Sequence, residues 1–156
     1  MLTLLMSMVC IQASAHDIEA VNNDGVTIYY VWTNNNTELE VSFKGDSWRS
    51  YAYTGIVAIP ESVTYNGTSF PVTSIGNNAF KYNSVTSVTI PNTVTTIDEG
   101  AFLGCRSLTS VNIPNSVTAI GKKVFSGCQR LTNINIPNSV TTIGESIFYM
   151  PAEEQQ

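Results

Sequence analysis

Charge is scarce in this sequence. Only 12% of its 156 residues are Asp, Glu, Lys or Arg, against about 25% in an ordinary globular domain. Seven basic residues face twelve acidic ones, for a net charge of −5. A chain so poor in positive charge has no basic face to neutralise phosphates, which excludes nucleic-acid binding. The same deficit argues against docking on anionic membranes. Long apolar runs are also missing. The longest, Met1 to Ile11, is broken only by Thr3 and Ser7. It falls short of the roughly 18 residues a membrane-spanning helix needs, so no transmembrane segment is expected. Its length suits the core of a secretory signal, and Ala13, Ser14 and Ala15 supply a small-x-small cleavage pattern. Residues 1–15 therefore read as a signal peptide and the chain as exported, although no Lys or Arg precedes the apolar run. A lipoprotein anchor at Cys10 would want Gly or Ala where Val9 stands.

Catalytic residue types are equally thin. The one histidine, His16, lies beside the expected cleavage site. A Ser–His or Cys–His arrangement needs a base held within hydrogen-bond reach of its nucleophile, and a terminal histidine does not offer one. Asp98 and Glu99 form the only acidic pair between residues 56 and 150. Paired-carboxylate chemistry needs two groups flanking a cleft, and this pair reads as a solvated turn. No Gly-rich phosphate loop occurs. Cys105 and Cys128, with no histidine in their part of the sequence, make a poor zinc site. Nothing points to an enzyme or to a cofactor.

What fills the space is Val, Ile, Tyr, Thr, Ser and Asn, a composition that favours strands and turns. Pro91, Pro114 and Pro137 recur every 23 residues. Their neighbours recur with them: Ile90, Ile113 and Ile136; Val94, Val117 and Val140; Ile97, Ile120 and Ile143; Phe102, Phe125 and Phe148. Gly104 and Cys105 match Gly127 and Cys128. Such self-similarity signals a stacked repeat array, in which each unit buries its apolar faces against its neighbours.

Within a unit, Val111 and Ile113 alternate with polar Ser110 and Asn112, which predicts a short half-buried strand. Pro114 cannot donate to a ladder and ends it. Val117, Ile120 and Phe125 turn inward around the rest of the coil, with one helical turn possible over Ile120 to Phe125. The fold class is thus a β-rich repeat solenoid of about four coils over residues 56–150. An altered first coil begins at Val57 and Ile59 and carries an insert at 64–71. Asn66-Gly67 in that insert is the strongest short hairpin signal. Residues 16–55 do not repeat. Two alternating segments, Val26 to Trp32 and Leu39 to Phe43, with Trp48, Tyr51 and Tyr53, predict a β-hairpin cap for the open end of the solenoid. Residues 151–156 are a polar tail, either a minimal cap or the end of a truncated array. Cys105 and Cys128 stack one coil apart, either as buried thiols or as a disulfide.

The unit L-T-x-V-x-I-P-x-x-V-T-x-I-G-x-x-x-F-x-G-C resembles the BspA-type leucine-rich repeat of bacterial surface proteins of the Bacteroides kind. The resemblance covers residues 55–150. It implies a leucine-rich-repeat solenoid, export, and adhesin-like binding, for some members to host matrix proteins such as fibronectin and fibrinogen. It carries no catalytic residues.

Two surfaces are candidates for a protein or glycan partner. The first is the outward strand ladder of Ser87, Thr89, Ser110, Asn112, Asn133 and Asn135. It is polar, nearly uncharged and rich in hydrogen-bonding groups. The second is the hairpin with Tyr65, Asn66 and Phe70. The alternative reading is a structural or vestigial fragment of a longer adhesin with no ligand of its own.

Overall fold

The computed structural model describes residues 17–44 and 51–150. The expected signal peptide with Cys10, His16, Trp48 and the polar tail lie outside the described residues.

The described residues open with an antiparallel meander of three strands. β1 (Ile18–Val21) pairs with β2 (Thr27–Thr33), and β2 pairs with β3 (Glu38–Ser42). Asn34, Asn35 and Asn36 join β2 to β3 in left-handed backbone, with φ of 47°, 56° and 65°. Asn adopts that region more readily than other non-glycine residues. β4 (Thr54–Ala58) follows, then the hairpin of β5 (Ser62–Tyr65) and β6 (Thr68–Ile75). Its turn is Asn66 and Gly67, both left-handed at φ 50° and 79°, as a two-residue turn between twisted strands requires. The remaining strands are β7 (Ser84–Thr89), β8 (Thr96–Ile97), β9 (Ser110–Asn112), β10 (Ala119–Ile120) and β11 (Thr142–Ile143).

These strands form two sheets. The smaller is parallel, in the order β4-β7-β9. The larger runs β1-β2-β3-β6-β8-β10-β11, with β5 on the flank of β6. From β3 onward its path is parallel, with Ile75, Ile97, Ile120 and Ile143 in one row. The meander thereby joins the array directly, Leu39 lying opposite Val72 and Val41 opposite Ile75.

The first three coils contribute to both sheets and fill the space between them, while the fourth adds only β11 to the larger one. Val57, Val88 and Val111 point in from the small sheet, and Ile75, Ile97 and Ile120 from the large one; all are buried. At one end of the coil a column of phenylalanines stacks through the molecule. Ring centroids are 5.1 Å apart for Phe80–Phe102, 5.6 Å for Phe102–Phe125 and 5.8 Å for Phe125–Phe148. The backbone follows the same stacking. The N–H groups of Phe80, Phe102 and Phe125 donate to the carbonyls of Ala101, Val124 and Ile147 on the next coil.

The stretch from Ile120 to Phe125 is a series of turns and not a helical turn. Lys123 sits at φ 54° there, as Gly100 sits at φ 64° one coil earlier, and a left-handed residue cannot continue a right-handed helix. The fourth coil is looser than the second and third. Leu131, Ile134 and Ile136 are half-buried where Leu108, Val111 and Ile113 are buried, and residues 131–137 pair with no strand. Phe148 is 47% exposed and Phe102 is 0% exposed, because none of the described residues stacks on the outer side of Phe148.

Candidate functional site

The outward face of β4-β7-β9 is built by alternation. With Val57, Val88 and Val111 turned into the core, their neighbours must face solvent. The register aligns Ile56, Ser87 and Ser110 in one row and Ala58, Thr89 and Asn112 in the next. Thr89, Ser110 and Asn112 are exposed and Ser87 is half-buried. The Ser110 hydroxyl donates to Ser87 Oγ at 3.0 Å, so these two hydroxyls are already linked across the strands. Asn133 and Asn135 are exposed but belong to no strand. The face therefore has a three-stranded part and an unpaired extension.

Ile56 was not among the sequence candidates. It is 67% exposed and begins the first row of this face. Polar–apolar alternation marks the other strands but not Gly55 to Ile59, which is apolar throughout. An apolar spot at one end of a hydrogen-bonding ladder gives the face mixed chemistry.

At the hairpin, Asn66 is exposed at the turn and Tyr65 is partly covered. Phe70 is half-buried against Trp32, with ring centroids 4.7 Å apart in an edge-to-face arrangement. Tyr65 meets the same indole at 5.9 Å. Two of the three hairpin candidates thus tie the hairpin to β2, leaving the Tyr65 edge and the Asn66 turn to face outward.

The acidic pair differs from its sequence reading. Glu99 is exposed, but Asp98 is half-buried and hydrogen-bonded to Glu40 of β3. Burial raises both carboxyls above their usual range, and for Glu40 the neighbouring Asp98 adds to the rise. Cys105 and Cys128 are free and buried. Their thiols donate to the carbonyls of Phe80 at 2.9 Å and Phe102 at 3.1 Å. Burial pushes the Cys128 thiol up to about 12 and raises that of Cys105 further. Thiols so held are poor nucleophiles. Among the described residues no three His, Cys, Asp or Glu side chains are grouped to hold a metal ion. No described helix is long and apolar enough to cross a membrane.

Coils that alternate between two parallel ladders around stacked apolar columns define a leucine-rich-repeat solenoid. The chain matches the BspA type leucine-rich repeat region in six copies over residues 73–153, and it belongs to that family. Among solved structures it is similar to a leucine-rich repeat protein from Bacteroides ovatus ATCC 8483, with 33% identity and a TM-score of 0.63 over 79% of this chain and 39% of that one. A leucine rich cell surface protein from Faecalibacterium prausnitzii A2-165 is 28% identical, with a TM-score of 0.63 over 81% of this chain and 32% of that one. A leucine-rich repeat protein from Bacteroides capillosus ATCC 29799 is 29% identical, with a TM-score of 0.65 over 79% of this chain and 93% of that one. The chain thus spans well under half of the first two proteins and nearly all of the third. No curated protein sequence matches it closely enough to count as a relative.

Proposed function

We propose that this chain is an exported surface module that binds a protein partner through the outward face of β4-β7-β9. The observation that carries this reading is the register that sets Ser87 beside Ser110 and Thr89 beside Asn112 in solvent-facing rows. Repeat arrays present extended faces of this kind to their partners. An uncharged hydrogen-bonding surface with one exposed Ile suits a protein surface better than a polyanion. The similarity to a protein described as a cell surface protein supports a surface location.

Surface plasmon resonance on immobilised fibronectin and fibrinogen tests the reading. Capture by the wild-type chain should disappear when Ser110, Asn112, Asn133 and Asn135 are replaced together by Glu, with the fold retained. Unchanged capture would move the site to the hairpin of Tyr65 and Asn66. No capture by the wild-type chain would favour a structural segment without a ligand of its own.

A further inference from the structure

A cavity of about 390 Å³ opens beside the small sheet, walled by the three segments that lead into its strands. Tyr51 precedes β4, Tyr82 and Ser84 frame the entry to β7, and Arg106 and Ser107 precede β9. The repeat shows what is unusual here. Phe80-Lys81-Tyr82-Asn83 aligns with Phe102-Leu103-Gly104-Cys105 and with Phe125-Ser126-Gly127-Cys128. Tyr82 therefore stands in a slot that the next two coils give to glycine. The backbone is left-handed at all three, with φ of 58°, 69° and 71°. Glycine adopts that conformation freely and a side chain does not. Tyr51 is left-handed as well, at φ 43°. Tyr51 and Tyr82 are 56% and 43% exposed, so full burial does not account for either strained position.

The surroundings hold these positions. Asn83, in the cysteine slot, is buried; its Oδ1 accepts the Tyr53 N–H at 2.7 Å and its Nδ2 donates to the Lys81 carbonyl at 3.0 Å. The Tyr82 ring lies against the Cα of Gly104, where a Cβ would collide with it. The Lys81 ammonium lies 5.5 Å from the Tyr82 ring centroid. Left-handed side chains also occur at the coil turns of Asn78 and Lys123; what sets Tyr51 and Tyr82 apart is that both line one cavity, and strained residues cluster at ligand sites.

We propose that this cavity binds one pyranose residue of a glycan. A pyranose offers an apolar C–H face and a rim of hydroxyls. Tyrosine rings meet the first with their faces and the second with their phenols, while the Arg106 guanidinium and the hydroxyls of Ser84 and Ser107 supply further hydrogen bonds. The volume is at the small end of the roughly 300–1,000 Å³ typical of ligand pockets. Those pockets are mostly apolar; this one is lined largely by polar groups, which disfavours a lipid. The proposal does not depend on the sheet face, because none of Ser87, Thr89, Ser110 or Asn112 lines the cavity.

Saturation-transfer NMR of the full chain with the methyl glycosides of mannose, galactose and N-acetylglucosamine, and with N-acetylneuraminic acid, tests it. Transfer to at least one of these sugars is expected, weakened at least tenfold by Tyr82→Gly and by Arg106→Ala. Tyr82→Gly restores the residue of the neighbouring coils, so its Tm should match or exceed that of the wild type. Arg106→Ala examines the cavity without touching the left-handed backbone. The variant carrying four Glu substitutions on the sheet face should keep sugar binding. Absence of transfer to all four sugars, or transfer that survives both Tyr82→Gly and Arg106→Ala, would overturn the proposal.

Discussion

Glu40 of β3 hydrogen-bonds through its carboxyl group to the carboxyl of Asp98, just beyond β8. The contact joins the non-repeating meander to the array. Glu40 reaches it by passing over Gly76, where a Cβ would collide with its side chain. Ser74 Oγ–H donates to Glu40 Oε2 at 3.0 Å. Two carboxyls can hydrogen-bond only if one keeps its proton, which burial favours by penalising the charged forms.

This pair makes stability depend on pH. Both carboxyls are raised in the folded chain, so between the ordinary carboxylate range near pH 4 and the raised values the folded state binds more protons than the unfolded one. Stability then falls as pH rises through the pair's folded range and is greatest on the acid side. Glu40→Gln keeps a hydrogen-bond donor beside Asp98 and removes one of the two titrating groups. Urea denaturation at a series of pH values should show a flatter profile and a more stable protein at neutral pH. A profile as steep as that of the wild type would remove the pair from this role.

The phenylalanine column should be the most sensitive part of the core. Phe102 is fully buried between Phe80 and Phe125, with planes 8° apart on either side. Phe102→Ala removes both stacked contacts and leaves a cavity, at a cost of about 3–5 kcal/mol. Phe148→Ala, at the exposed end of the same column, should cost under about 1.5 kcal/mol, since less surface leaves water on folding. Equal losses for the two in thermal or urea unfolding would contradict a graded column.

Much of the solenoid is legible in the sequence. Pro91, Pro114 and Pro137, with Val and Phe in step, define coils whose like residues must stack. Asn66-Gly67 places a hairpin turn because both residues accept left-handed backbone. The second parallel ladder is not legible. β8, β10 and β11 have two residues each, too few for alternation to register. Nor can the sequence bring Glu40 to Asp98, since one lies outside the repeat and the other takes a slot that Gly121 and Gly144 fill in later coils. The outward rows through β9 follow from alternation, whereas the unpaired backbone at Asn133 and Asn135 depends on how loosely the fourth coil stacks. The cavity at Tyr82 depends on three loops meeting, which periodicity cannot report.

Close stacking also makes Gly121 intolerant of a side chain. A Cβ there would lie 2.6 Å from the Glu99 backbone nitrogen and 2.8 Å from the Asp98 carbonyl carbon. Backbone cannot rotate aside as a side chain can, so Gly121→Val must push two coils apart. The expected loss is about 1–3 kcal/mol, with the larger effect on the coils after Gly121. Hydrogen exchange should localise it, through faster exchange of the Gly144 N–H, which donates to Ile120 O at 2.8 Å. An unchanged Tm would mean that the coils can separate at little cost.

The thiols provide a test of how cooperatively the array opens. Cys105 and Cys128 occupy the same slot on adjacent coils, and each donates to a carbonyl of the preceding coil. Their raised pKa values leave almost no thiolate at neutral pH, and labelling requires both thiolate and access. Iodoacetamide should therefore modify neither in the native state within the time needed to label both in urea. Because Phe80, Phe102 and Phe125 couple the coils, the two sites should become reactive with the same denaturant midpoint, as read by peptide mass spectrometry. Should Cys128 label at lower denaturant than Cys105, the loose fourth coil would be opening first, and the cooperative unit would end at the third.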